Sequence, residues 1–223
     1  MATSRSIVTT ALRKLGRVGG GREARSPDVQ DGFEALVSLY RGWINSGTFG
    51  RLHDIVPTGN YMAVGNERIL RTTNAVFEVT LPELVTTYNA SAQRYYGTTI
   101  TITQVGEDVD VQVQPSQPIQ GHNVTPPRDL APVIITDQGG KTIDFLYDGS
   151  LKKWVPIYLM DLDDEAPLSF RDSNGLASCL AINIADQWGA DVHPATAQAA
   201  AGFRSALVTR FSTPSMPVCG VYF

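Results

Sequence analysis

Three histidines, two cysteines and a dense acidic run are the side chains from which this chain could build a reactive centre. His53, His122 and His193 each stand alone in turn-like sequence. No HxxxH or Cys-x-x-Cys pairing sets two ligands on one helical turn or one knuckle, so the spacing of a zinc centre is missing. No Gly-x-Ser-x-Gly elbow is present to raise a serine nucleophile, and Cys179 lies in an apolar helical run, the setting of a packing cysteine. Glu34, Glu67, Glu78, Glu83 and Asp186 are carboxylates of the kind a glycosidase pairs across a cleft, but none has a distinctive sequence context. Asp161-Leu-Asp-Asp-Glu165 has the odd spacing that suits calcium, yet lacks the glycine and distal glutamate of an EF-hand loop. It reads as a solvated or lumen-facing loop. Gly19-Gly-Gly21 has neither the preceding strand nor the following Lys-Ser/Thr of a phosphate loop. The expectation is therefore no catalytic residue, no metal and no cofactor, and a chain that is not an enzyme.

Composition narrows the class further. The 223 residues are 43% hydrophobic and 18% charged, enough apolar sequence for an ordered core. A net charge of −4 argues against phosphate-driven nucleic-acid binding, which needs clustered Lys and Arg. Residues 1–14 are polar and helix-patterned rather than a secretory h-region, and no run of about 18 apolar residues is present to span a membrane. Cys179 and Cys219 form no disulfide framework, which fits a reducing, intracellular setting.

The elements that must position these residues are helical at both ends. Ile7, Ala11, Leu12 and Leu15 share one face of a first helix capped by Thr3 or Ser4 and closed at Gly16. Arg13, Lys14 and Arg17 follow, where cations suit the helix dipole. Ser26-Pro27, with Asp28 in the first turn, opens a second helix striped by Val29, Phe33, Leu36, Val37, Tyr40 and Ile44. A third runs from Leu176 to Trp188, and a fourth from Ala195 to Phe211 carries Phe203 and Leu207 on one stripe. Pro214 and Pro217 then forbid further helix, and an apolar segment follows.

Between the helical ends the apolar period falls to two. Arg68–Arg71, Val76–Leu81, Thr99–Gln104, Val109–Gln114, Val133–Thr136, Thr142–Tyr147 and Trp154–Tyr158 read as short strands. Pro57-Thr-Gly-Asn60, Val64-Gly-Asn66, Gly139-Gly140 and Asp148-Gly149 read as turns between them. The predicted fold is α+β: a four-helix bundle formed by the N- and C-terminal helix pairs, an inserted, mostly antiparallel β domain, and an extended C-terminal tail. The expected boundaries are 1–50 plus 172–212 for the bundle, 51–171 for the insert and 213–223 for the tail.

Three stretches carry a resemblance. They are Ala11-Leu-Arg-Lys-Leu-Gly16, Asp31-Gly-Phe-Glu-Ala-Leu-Val-Ser-Leu-Tyr-Arg-Gly-Trp-Ile-Asn-Ser-Gly47 and Gly175-Leu-Ala-Ser-Cys-Leu-Ala-Ile-Asn-Ile-Ala-Asp-Gln-Trp-Gly189, the last followed by an Ala-rich helix. In order and spacing they resemble the head-to-tail adaptors of short-tailed bacteriophages, the packaged-DNA-stabilisation family. Asn66-Glu-Arg-Ile69 and Pro126-Pro-Arg-Asp-Leu130 resemble the region inserted in its longer members. The resemblance implies a virion neck protein assembled in the host cytoplasm as a dodecameric ring of its own copies beneath the portal protein. Such a ring extends the channel, passes genomic DNA without sequence-specific binding, and carries the next tail component, a nozzle or hub. It also implies portal docking by Pro214, Met216, Pro217, Val218, Val221, Tyr222 and Phe223. By its residues, an apolar segment behind two prolines either adds a strand to the chain's own sheet or docks on a neighbour by strand addition or aromatic anchoring, and the second suits that role. Asp161, Asp163, Asp164 and Glu165 fit either lumen-facing positions or an outer loop of such a ring. The alternative is a tail-associated glycan-binding module or cell-wall hydrolase acting through the β insert, with Tyr95, Tyr96 and Trp154 as candidate sugar platforms, although Trp154 better suits core packing.

Overall fold

The structure, a computed structural model, describes residues 2–19, 22–71, 78–81, 99–104, 111–114, 133–135, 142–148, 153–157 and 160–211. Helix α1 spans Ser4–Lys14, α2 Ser26–Asn45, α3 Ser169–Ala185 and α4 Pro194–Phe211. Thr3 caps α1 through its hydroxyl, which accepts from Ser6 N–H. Pro27 sits in the first turn of α2, where its missing N–H costs no intrahelical bond. Inside α3, Asp172 leaves helical geometry at φ −155°, ψ 84°, and its Oδ1 accepts from Gly175 N–H at 2.7 Å. Asp172 thus acts as an internal N-cap, and the regular helix runs from there to a 3-10 turn at Asp186–Trp188.

The strands are β1 His53–Ile55, β2 Tyr61–Met62, β3 Glu67–Arg71, β4 Glu78–Thr80, β5 Thr99–Gln104, β6 Val111–Gln114, β7 Val133–Ile135, β8 Thr142–Asp148 and β9 Lys153–Pro156. They form two sheets, ordered β1-β3-β5-β8-β9 and β2-β4-β6-β7. Consecutive strands from β1 to β6 alternate between the sheets, so each successive pair lays a new rung on the last. Within a sheet these rungs pair in parallel, His53 opposite Glu67 and Glu67 opposite Ile100 on one side, Tyr61 opposite Val79 on the other. Antiparallel strands close both sheets: β7 on β6, β8 on β5, and β9 on β8.

Strand β8 is the wall between two cores. Ile143, Phe145 and Tyr147 face the interior of the β region with Ile69, Val79, Ile100, Ile102 and Trp154. Leu146 faces the other way and joins Val155 and Ile157 in the core built by the four helices. This is the period-two alternation of a strand buried on both faces. Two carboxylates flank Leu146 on its helical face. Asp144 Oδ2 accepts from Arg41 Nε of α2 at 3.2 Å, and Asp148 Oδ2 accepts from Leu168 N–H at 2.8 Å at the entry to α3.

The predicted architecture is corrected on two counts. The helices do not pair off by terminus. Helix α3 is the hub, packing on α1, α2 and α4, and it shares its core with β8 and β9. Gly32 on α2 and Gly175 on α3 permit two of the close approaches, to Val8 and to Phe203. The sheets are mixed, not mostly antiparallel: among the described pairings, four are parallel and three antiparallel. The physical reason lies in the turns. Pro57–Asn60 and Val64–Asn66 fit hairpins by composition, but here they turn the chain from one sheet to the other. Two-residue alternation says which face of a strand is buried and leaves its neighbour open.

Candidate functional site

The acidic run is built into the start of α1. A helix begins with N–H groups that have no intrahelical acceptor. Here Ser4 N–H donates to Asp164 O at 2.8 Å, Arg5 N–H to Leu162 O at 2.7 Å, and Ala166 N–H in return to Ala2 O at 3.0 Å. Arg5 Nε then meets Asp163 Oδ1 at 2.9 Å. The Arg5 guanidinium beside Asp163 holds that carboxyl below its ordinary range, although both side chains face water. Asp164 Oδ2 accepts from Asp161 N–H, closing the loop on itself. No acidic residue lies in the first turn of α1, so this loop supplies the negative charge that the positive end of the helix favours.

A groove of about 400 Å³ opens between α2 and α4. Leu39 and Trp43 are its most buried lining residues. The Trp43 indole is held by Tyr40, edge-on at a centroid distance of 5.9 Å, and by Phe203 at 6.0 Å. Ser38, Gly42 and Ser46 recur at helical spacing along α2, and a Cβ added at Gly42 would meet nothing within 4 Å. Helix α4 contributes Val208, 52% exposed, and Arg204. An apolar base, a rim of small polar residues and one cation suit the seating of an extended segment or aromatic side chain. Burial pushes the Cys179 thiol above its ordinary value, against the opposing effect of Arg204.

No family model matches this chain, and no curated protein matches it.

The sequence-predicted positions distribute as follows. Pro214, Met216, Pro217, Val218, Val221, Tyr222 and Phe223, the expected docking tail, lie outside the described residues. So do Glu83, Tyr95, Tyr96 and His122. Asp161, Asp163, Asp164 and Glu165 are brought together with Thr3, Ser4 and Arg5. Trp154 is fully buried beside Tyr147, so it offers no platform to a sugar. Glu67 is buried with its oxygens taken by Tyr61 Oη–H and Val64 N–H, each at 2.9 Å. His53 lies on β1, and His193 accepts from Ala195 N–H at the start of α4. Among the described residues, no three His, Cys, Asp or Glu side chains gather as a metal site.

Three interactions escaped the sequence reading. Arg17 was expected to serve the helix dipole, but its guanidinium donates to Trp188 O and lies over the Trp188 ring. Arg41 reaches across to the buried Asp144. The groove joins residues of α2, α3 and α4. Each depends on elements more than a hundred residues apart in the chain, and local spacing carries no signal for them.

Proposed function

We propose that this chain is a head-to-tail adaptor of a short-tailed bacteriophage: a structural virion protein that assembles with its own copies as a ring beneath the portal protein. The observation that carries the reading is the convergence of α1, α2, α3 and α4 on one core, although the β region separates the two helical ends. Those are the segments in which the resemblance resides. Large apolar side chains also stand open to a partner: Val56, Met62 and Val64 are 56%, 71% and 74% exposed.

In this reading the ring prolongs the portal channel, DNA passes without sequence-specific binding, and the far side carries the tail nozzle or hub. The exposed Asp161 and Asp163 belong to an acidic surface against which DNA slides without adhering. Their loop is held against α1 by backbone hydrogen bonds from Ser4 and Arg5. The segment 213–223 is assigned to the portal. No chemistry or cofactor is invoked, and among the described residues no helix is long and apolar enough to cross a membrane.

Particles produced without this chain test the proposal. They are expected to package DNA into heads that carry no tails and release the DNA on dilution, with tails restored when the protein is added back. Particles that remain tailed and DNA-filled without it contradict the proposal. A purified chain that cleaves or retains cell-wall glycan would favour the alternative through the β region.

A further inference from the structure

We propose that the groove between α2 and α4 binds an acidic peptide segment of a partner protein, with a carboxylate side chain seated on Arg204. The charge of the lining points to the ligand. Among the described residues that line the groove, Arg204 alone is charged, and α4 itself carries no Asp or Glu. Among the described residues no carboxylate lies within ion-pair distance of Arg204, in contrast to Arg5, Arg25, Arg41 and Arg68. The guanidinium stands near enough to Cys179 of α3 to oppose the burial that pushes that thiol up. Asn183, one helical turn further along α3, lines the groove with it. The cation therefore lies over the groove-facing side of α3. One guanidinium balances one carboxylate, and its planar fork takes both oxygens together. A phosphate group, with nearly two charges, or a nucleic acid calls for the clustered cations that this lining lacks.

The rim selects a peptide over a free acid. Ser46 Oγ–H donates to Trp43 O at 3.1 Å, and Thr48 Oγ1 stands 3.0 Å from the same serine oxygen. With the serine proton engaged, Thr48 is the donor of that second bond and keeps its own lone pairs for a further N–H. An ionised free acid brings no such donor, whereas a peptide main chain does. A Cβ added at Gly42 would meet nothing within 4 Å, so a main chain can approach α2 there. Leu39 and Val208 offer apolar surface to the methylene stem of a glutamate. The floor is fixed beforehand, because Tyr40 and Phe203 hold the Trp43 indole, and a preformed site loses less on binding. Its volume of about 400 Å³ falls in the roughly 300–1,000 Å³ range of ligand pockets. The inference does not rest on the adaptor reading.

Titration of the full chain at low salt with the capped tripeptide Ala-Glu-Ala, followed by backbone amide chemical shifts, tests the proposal. Saturable shifts are expected on α2 around Gly42 and on α4 around Arg204. Binding should weaken by at least about tenfold when the peptide is capped Ala-Gln-Ala, and likewise when the protein carries Arg204→Gln. Gly42→Asp gives a second variant. Open space receives its side chain, and its own carboxylate should compete for Arg204 and weaken the glutamate peptide by a similar factor. Sodium acetate and inorganic phosphate should each bind at least about tenfold more weakly than the glutamate peptide. Equal affinity for the two peptides, binding undiminished in both variants, acetate or phosphate matching the peptide, or no saturable shift at all would each overturn the proposal.

Discussion

Asp144 is 2% exposed, and its two oxygens are divided between two elements: Thr101 Oγ1 donates to one at 2.8 Å and Arg41 Nε to the other at 3.2 Å. The carboxylate on the helical face of β8 is thereby satisfied from both the sheet and α2. Arg41→Ala leaves it with one partner in a dry setting, and a buried group so exposed to loss costs about 1–3 kcal/mol. Because the Arg41 side chain is itself 45% exposed, the low end of that range is expected, read as a lower urea midpoint with unchanged slope. The pair Arg5–Asp163 acts differently. The folded state holds the Asp163 carboxyl below its ordinary value. Its stabilising contribution is therefore present at neutral pH and is lost as the pH falls through that lowered value. Stability curves of the native chain and Asp163→Asn should differ at neutral pH and converge on acidification. They should also converge in high salt, since both groups face water. A difference that persists at low pH would contradict this assignment. At this scale the sequence was partly legible. The acidic run was visible as a run, but its partner Arg5 stands at the other end of the chain, where no local pattern connects them.

Two glycines separate the requirements of helix packing from those of helix formation. A Cβ on Gly175 would collide with Asp172 Oδ2 and stand 2.7 Å from Phe203 Cβ, an atom fixed to the backbone of α4. Gly175→Ala must then either push α4 from the hub or break the Asp172 cap, at a cost of about 1–3 kcal/mol. Gly202, exposed on α4, has nothing within 4 Å of its would-be Cβ. Gly202→Ala is expected to stabilise by about 0.5–1 kcal/mol through helix propensity alone. Thermal unfolding of the two variants should move in opposite directions, and a shared direction would refute the packing assignment. Helices and strands were legible because their caps and periods are local: Ser26-Pro27 opens α2, and Thr99–Gln104 is β5 at both ends. Sheet membership was not. The corner at Val64-Gly-Asn66 places Asn66 at φ 54°, and its amide oxygen then accepts from Thr99 N–H and hydroxyl, holding β5 beside the start of β3. That contact makes a parallel rung, and nothing in the turn's composition distinguishes it from a hairpin.

At the scale of the molecule, β8 and β9 bind the β region to the helices. Leu146, Val155 and Ile157 belong to the helical core, while Phe145 and Trp154, their chain neighbours, belong to the other. Buried Tyr40 strengthens the junction by donating to Pro167 O at 2.7 Å. Desolvation, with Asp148 nearby, pushes its phenol well above its ordinary value. The four helices share one core, but not as two terminal pairs: α3 contacts α1, α2 and α4, and α1 also contacts α2, since apolar stripes identify buried faces without ranking their partners. The groove between α2 and α4 was illegible for the same reason, while the segment that follows it announced itself by its prolines and lack of charge.

The most direct measurement is the mass of the complex formed when the purified chain is mixed with its cognate portal protein, with and without residues 213–223. The account predicts a ring of adaptor copies on the portal with the full chain, and none with the truncated one. Absence of a complex with the full chain would contradict it.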